Sequence, residues 1–222
     1  GIASKSRAEK IFARIAKGGC SSTTASWVSE KYYGKSDTTA GNTGDSSCAM
    51  GRIAWFESLA RKRYGKLDEF NSHILEHIRD ILLEFTWMRE RLKCDGTQDF
   101  GRTPGYFEYP SIVAMLVRHI RYGIQLGFNS IEVDPFGVSE FDYHVNQVRV
   151  NYHPHGTTRL QLPGHAAASF KLEGFDPKVV YSVSCEQCEG QQLHPNRNGT
   201  LAFRAWFGQL VTVEADTAST AT

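Results

Sequence analysis

The spacing of apolar residues changes part-way along the 222-residue chain. Up to about Leu126, apolar positions recur every three or four residues, as they do on one face of a helix. Beyond Ile131 they alternate with polar positions, as along strands that have one buried face. This change predicts an α+β protein with helical hairpins over residues 1–128, a β domain over 129–215 and a disordered tail over 216–222.

Four helices are predicted in the first part of the chain. They cover residues 7–17, about 46–64, 69 to about 85, and 110 to a close at Gly123 or Gly127. The short turn between the second and third helices predicts an antiparallel hairpin. The second helix is expected to bury one apolar face, formed by Met50, Ile53, Ala54, Phe56, Leu59 and Ala60. Residues 21–45 and 93–109 are predicted to be long loops.

Short strands with polar turns are predicted in the second part. They cover residues 130–133, 141–152, 158–162, 168–172, 179–184, 200–206 and 210–214. The alternation slips at Asn146-Gln147, which predicts a bulge or a tight turn there. Short strands at regular intervals indicate an antiparallel, sandwich-like β domain.

Charge and hydropathy narrow the possible partners. The 25 basic and 24 acidic side chains leave a net charge of +1, which produces no long-range field for nucleic acid or an anionic membrane. No apolar run approaches the ~18 residues of a membrane span. We therefore expect neither nucleic acid nor a membrane as a partner of this chain. The sequence also has no phosphate-cradling glycine loop, and we expect no cofactor.

The cysteines and one asparagine bear on the cellular compartment. The Cys185-Glu-Gln-Cys188 pair is either a turn disulfide or two free thiols, because a zinc site needs about two more ligands. We predict no metal site. Asn198-Gly199-Thr200 is a glycosylation acceptor triplet, which matters only in a secreted protein. The compartment stays open, with a leaning towards an extracellular or secretory location.

Carboxylates and aromatic rings occur together in three segments, residues 41–56, 86–96 and 105–110. Each segment lies at a predicted helix end or on a loop, where a scaffold holds functional side chains in place. Sugar sites need this mixture, since rings cover the apolar faces of a sugar and carboxylates bind hydroxyls or transfer protons. The substrate-binding candidates are Trp55, Trp87, Tyr106, Glu108 and Tyr109. Trp55 lies next to the apolar stripe of its helix, where a tryptophan is more often a core residue than a sugar platform. Glu108 could simply interact with the dipole of the next helix.

The order of these segments carries a resemblance to a known family. A helical hairpin is followed by Trp87-Met-Arg-Glu90-Arg91, by a loop closed with Glu108-Tyr109-Pro110, and by a helix ending in Arg121-Tyr-Gly-Ile124. Over about residues 27–162 this resembles the C-terminal end of the six-hairpin α/α toroid glycoside hydrolases, the broad group containing trehalases and processing α-glucosidases. The resemblance implies a partial α/α toroid, a carbohydrate ligand, and an upstream segment or second chain that completes the toroid.

The resemblance also implies a mechanism. Most of these enzymes invert the anomeric configuration, with two carboxyl groups about 6.5–9.5 Å apart to admit a water molecule. The position that matches the general base is Glu90, although Leu92 stands where tyrosine is usual. The general acid is expected upstream of Gly1, with Asp45 as the runner-up.

Three other interpretations of Glu90 and of the whole chain remain open. Glu90 could pair with a neighbouring arginine. The chain could be a non-catalytic carbohydrate-binding, structural or assembly relative on the same scaffold. It could also be an independent module with no role in sugar chemistry.

Overall fold

The chain has a mixed α and β architecture that is rich in strands. A computed structural model describes residues 3–17, 27–28, 48–76, 78–79, 83, 91–93 and 108–216. The α+β class predicted from the sequence is confirmed in these residues. The chain divides into two compact units, residues 1–120 and 121–222. The described helices are too few to form an α/α toroid, so the toroid stays a prediction.

The first unit combines helices with one small sheet. Its elements are α1 (Lys5–Lys17), β1 (Trp27–Val28), β2 (Cys48–Met50), α2 (Gly51–Arg63), α3 (Leu67–Phe70), β3 (Arg91–Lys93) and α4 (Glu108–Met115). A π-helical turn, Asn71–Leu75, continues α3, and a second, Leu116–Arg121, continues α4. The second helix begins at Gly51 and not near Ser46, because β2 pairs with both β1 and β3 just before it.

The predicted buried face of α2 is wrong in part. Ala54 is buried as expected, but Phe56 is 65% exposed and Leu59 is 40% exposed. The same helix buries Glu57, Ser58 and Arg61, of which Arg61 is only 2% exposed. Helix α2 therefore turns polar side chains inward and leaves two large apolar ones in contact with solvent.

Ionic and cation–π contacts explain why Arg61 is buried. Its guanidinium contacts the carboxylates of Glu57 and Glu69 and lies 5.1 Å from the ring centroid of Phe12 on α1. A buried charge is tolerated when it is paired and hydrogen-bonded in this way. The helical period alone does not reveal such pairing, because it classifies arginine as a surface residue.

The second unit is a two-sheet sandwich. Its strands are β4 (Ile124–Leu126), β5 (Ser130–Val133), β6 (Phe141–Val145), β7 (Val148–Tyr152), β8 (Thr157–Gln161), β9 (Ala167–Leu172), β10 (Tyr181–Cys185), β11 (Cys188–Leu193), β12 (Leu201–Trp206) and β13 (Leu210–Ala215). The larger sheet has the antiparallel order β11-β10-β13-β8-β7-β6. The smaller has the order β12-β9-β5-β4, and its β5–β9 pair is parallel.

One apolar core joins the two sheets. Alternate residues of both sheets point into it, and every second residue of β12 is buried. Aromatic rings occupy much of its volume. Phe170 and Phe203 stack at 5.1 Å within the smaller sheet, and Phe141 and Tyr152 stack at 5.3 Å within the larger one. Burying such rings supplies the main free energy that holds the sheets together.

Two turns that were predicted from the local sequence are present in the structure. Asn146-Gln147 forms a two-residue turn between Val145 and Val148, as one of the two predicted alternatives required. Asn146 has a φ of 54°, a conformation that asparagine tolerates better than most residues. Cys185 and Cys188 form a disulfide across the β10–β11 hairpin, so the turn-disulfide alternative is confirmed.

The helix predicted to reach Gly123 or Gly127 ends earlier. The π-helical turn stops at Arg121, and residues 124–126 form strand β4. Gly123 makes the change of direction with a φ of 65°, and its carbonyl oxygen accepts a hydrogen bond from the Asp134 N–H at 3.1 Å. A Cβ atom at Gly123 would lie 1.8 Å from the Asp134 carbonyl oxygen.

We predict that Gly123→Ala destabilises the second unit by about 2–4 kcal/mol, because alanine combines backbone strain with a collision against the β5 end. Gly190→Ala is the matched control, since nothing lies within 4 Å of a Cβ atom there. Urea unfolding followed by circular dichroism measures both variants. Equal midpoints for the two would contradict the role assigned to Gly123.

Two buried tyrosines differ in how their hydroxyl groups are bonded. Within the described part of the chain, the Tyr152 hydroxyl has no hydrogen-bond partner, and burial raises its pKa well above the usual value. The Tyr181 hydroxyl accepts from the Asp176 N–H at 3.2 Å and donates to the Pro154 carbonyl oxygen at 3.4 Å.

We therefore predict opposite results for removing the two hydroxyl groups. Tyr152→Phe should leave the free energy of unfolding unchanged or raise it, because it removes a buried unpaired group. Tyr181→Phe should lower it by about 1 kcal/mol, because it leaves the partners of the hydroxyl unpaired. Calorimetric melting compares the two, and a larger loss for Tyr152→Phe would refute the assignment.

Candidate functional site

Trp55, one of the predicted sugar-binding residues, contacts a histidine from another helix. Helix α2 carries Trp55, and the π-helical turn that continues α4 carries His119. The two ring centroids are 5.8 Å apart and the ring planes make an angle of 79°, an edge-to-face contact. Both side chains are partly exposed, so each keeps some surface for a ligand.

Arg118 determines which nitrogen of His119 carries the proton. Its Nε lies 3.2 Å from His119 Nε2, and its Nη2 lies 2.5 Å from the same atom. A guanidinium only donates hydrogen bonds, so Nε2 must accept them. In a neutral imidazole ring, this arrangement leaves the proton on Nδ1.

These three side chains form what we call the Trp55 cluster: Trp55, Arg118 and His119. It combines an indole face with guanidinium and imidazole N–H donors. A sugar ring offers an apolar C–H face and several hydroxyl oxygens, which match a ring and donors of this kind. The cluster contains no carboxylate, so it can bind and orient a ligand but supplies no general base of the glycosidase type.

The remaining predicted site residues are only partly covered by the structure. Glu90, Trp87 and Tyr106 lie outside the described residues, and the residue after Glu90 begins strand β3. Glu108 and Tyr109 are the first two residues of α4, so Glu108 lies inside the helix and not just before it. Trp55 is thus the one predicted ligand residue whose side-chain surroundings are described.

Arg118 and His119 were missed as partners of Trp55. In the sequence they form a small basic patch with Arg121, and no acidic residue adjoins this patch to mark a sugar site. The sequence separation between positions 55 and 119 hides the contact, which arises only when α2 and α4 pack together. A weak signal was available, because Trp55 lies beside the predicted apolar stripe of its helix.

A second polar cluster lies on the larger sheet of the sandwich. His153 Nε2 is 3.2 Å from Asp142 Oδ1, and His153 Nδ1 is 3.4 Å from Glu140 Oε2. The Asn151 amide donates to the same Asp142 oxygen at 2.6 Å. All four side chains reach solvent, so the cluster is a surface hydrogen-bond network.

Comparison with known proteins yields distant glycoside hydrolases. No protein-family model matches the sequence, and no curated protein matches it. Among solved structures, an α-L-rhamnosidase from Dictyoglumus thermophilum is similar over 72% of this chain and 21% of its own, with 12% identity and a TM-score of 0.38. A GH127 β-arabinofuranosidase is similar over 40% of this chain and 18% of its own, with 18% identity and a TM-score of 0.23. The chain therefore spans about a fifth of each of these structures.

Metal ions and membranes can be considered for the described residues only. Among these residues, no set of three or more His, Cys, Asp and Glu side chains is arranged so that it could hold a metal ion. Among the described helices, none combines the length and the apolar character of a bilayer span.

The hydrogen bonds to Asp142 lead to a prediction about the pKa of its carboxyl group. The hydrogen bond from Asn151, followed by that from His153, lowers the pKa of Asp142 below its usual value of about 3.9. A lowered carboxyl pKa stabilises the folded state above the unfolded pKa, and the effect is lost as the pH falls through the folded pKa. We predict that Asn151→Ala raises the Asp142 pKa towards its ordinary value in a carbon-detected NMR titration.

Asn198→Ala serves as the control for this titration, because Asn198 is an exposed turn asparagine remote in sequence from the network. The Asn198→Ala substitution should leave the pKa of Asp142 unchanged. An Asp142 pKa that does not change in the Asn151 variant would show that His153 alone sets it.

Proposed function

We propose that this chain is part of a carbohydrate-active protein and that the Trp55 cluster contacts the sugar. The observation that carries the proposal is the joining of a partly exposed indole ring to imidazole and guanidinium donors across two helices. An aromatic face matches the C–H face of a sugar ring, and N–H donors match its hydroxyl oxygens. The mixture of aromatic and acidic residues in segments 41–56, 86–96 and 105–110 supports the same class of ligand.

In the catalytic form of this proposal, the protein is an inverting glycoside hydrolase of the six-hairpin type. Glu90 acts as the general base and deprotonates the attacking water. The general acid comes from a segment outside residues 1–222, which also completes the toroid. Trp87, Tyr106, Glu108 and Tyr109 line the sugar site together with Trp55. The catalytic form of the proposal is supported by the order of the short sequence motifs around Glu90 and Pro110.

The second candidate is a non-catalytic carbohydrate-binding or assembly protein on the same scaffold. It is favoured by Leu92, which stands where the resemblance expects tyrosine. Leu92 is paired with Ala49 in the small sheet of the first unit. Without a hydroxyl at this position, a base at Glu90 would lack one polar neighbour that the family pattern provides.

The proposal predicts that Trp55→Ala weakens sugar binding at least about tenfold. Truncating an aromatic residue that contacts a ligand costs on the order of 1–3 kcal/mol. The full chain is titrated with a panel of α- and β-linked disaccharides, and binding is followed by NMR. Trp206→Ala is the control, because Trp206 is a partly exposed tryptophan of the second unit. It should bind as the unaltered chain does.

Two results would contradict the proposal. One is a Trp55→Ala chain that keeps its thermal midpoint and binds sugar with undiminished affinity. The other is an unaltered chain that binds no disaccharide of the panel. To separate the two candidates, hydrolysis is measured with the protein that joins this chain to the acid-bearing segment. Turnover that Glu90→Gln abolishes supports the enzyme, and binding without turnover supports the second candidate.

A further inference from the structure

A polar cleft lies at one end of strands β7 and β8, within the second unit. Its volume is about 430 Å³, which is within the range of small-molecule sites, and it opens to solvent. Arg149 and Gln161 are paired across the two strands and point away from the core, since their neighbours Val150 and Leu160 are buried. Residues that line the cleft include Asn146, Gln147, Arg149, Gln161, Pro163 and His165.

Backbone hydrogen bonds hold the walls of the cleft in place. The turn at Asn146-Gln147 forms one wall, and residues 162–165 form another. The Gly208 N–H donates to the Leu162 carbonyl oxygen at 2.7 Å, and the Phe207 N–H donates to the Ala166 carbonyl oxygen at 2.9 Å. The cleft is therefore formed before any ligand arrives, which reduces the entropy lost on binding.

The side chains that line the cleft have hydrogen-bonding capacity to spare. The Arg149 Nε donates to His144 Nε2 at 3.2 Å, whereas its two terminal nitrogens have no partner among the described residues. The same holds, over the described ranges, for the side chains of Asn146, Gln147, Gln161 and His165. Five polar groups with unused donors or acceptors thus surround one open volume.

The charge of the lining favours an anionic group in the ligand. Arg149 is the cation of the lining, and the lining includes no aspartate or glutamate. A guanidinium whose terminal nitrogens are free matches the two oxygens of a carboxylate as a fork. Amide side chains offer both donors and acceptors, which suit hydroxyl groups, and the Pro163 ring offers an apolar surface.

We propose that this cleft is a binding site for an acidic sugar, whose carboxylate pairs with Arg149 and whose hydroxyls bond to the amides of Asn146, Gln147 and Gln161. The site belongs to the second unit and shares no residue with the Trp55 cluster. It therefore extends the proposed function and can fail without affecting it.

The test uses the full chain labelled with nitrogen-15 and titrated with free uronic acids. D-glucuronate and D-galacturonate are the ligands, D-glucose and D-galactose the neutral matches, and acetate the carboxylate without a ring. The expected result is saturable shifts of backbone amides at residues 146–149 and 161–165. Affinity for the neutral sugars and for acetate should be at least about tenfold lower than for the uronates. Added salt should weaken the uronate interaction, because the pair is partly exposed.

Two arginine variants test whether the Arg149 guanidinium binds the carboxylate of the uronate. Arg149→Gln should reduce uronate affinity at least about tenfold. Arg159→Gln is the control, because Arg159 is exposed on the same strand as Gln161 but lies outside the lining. It should bind uronate normally.

Several results would overturn the proposal. These are equal affinity for the neutral sugars, equal affinity for acetate, the absence of shifts in the cleft, or an equal loss in both arginine variants. Because both arginines are exposed, neither substitution is expected to alter the fold, and the amide spectrum of each variant reports on this directly.

Discussion

The alternation of side chains along a strand is the constraint on which the second unit depends. Two sheets of six and four strands share one core, so inward positions are mostly apolar and outward positions are free to be polar. The buried Thr158 is an inward polar residue, and its hydroxyl accepts a hydrogen bond from the His153 N–H. Stacked and edge-to-face rings fill this core, and residues such as Phe170 and Tyr152 have almost no exposed surface. The polar outer face is a consequence of the same rule. Both the Asp142 network and the Arg149 cleft lie on that face.

The first unit is stabilised by a different principle. Helix α2 buries an arginine with two carboxylates and exposes Phe56 and Leu59. Such a network depends on every partner being present, because removing one would leave an uncompensated charge in a buried place. It also ties α1 to α2 through the contact between Arg61 and the Phe12 ring. The position of Trp55, on the same helix, depends on this packing.

The two candidate binding places differ in the chemistry that they offer. The Trp55 cluster has an aromatic ring and neutral or cationic donors, which suit a sugar ring in general. The Arg149 cleft has amides and one cation, which select for a carboxylate on the sugar. Each proposed site rests on the contacts of its own residues. Glu90, the residue proposed for catalysis, lies outside the described part of the chain.

Several features were decided by local sequence. Period-two alternation predicted most strands of the sandwich within a residue or two, and the slip at Asn146-Gln147 marked a hairpin turn. These succeeded because a strand's side chains alternate wherever one face is buried, and because turns demand particular residues. The helical period likewise located α1, α2 and α4 approximately. The prediction that Ala54 is buried was also correct, because it follows from the same helical period.

Other features were decided only by tertiary structure. The parallel pairing of β5 with β9 and the strand character of residues 124–126 depend on partners distant in sequence. The burial of Arg61 depends on Glu69 and Phe12, which no periodicity connects to it. Helix packing brings Trp55 into contact with His119. Strand register places Arg149 beside Gln161 at the cleft. In the sandwich, sequence alone determined which strand positions face the interior and that the chain turns at Asn146-Gln147, since those preferences are local. Which polar groups converge on a common site was settled by long-range contacts.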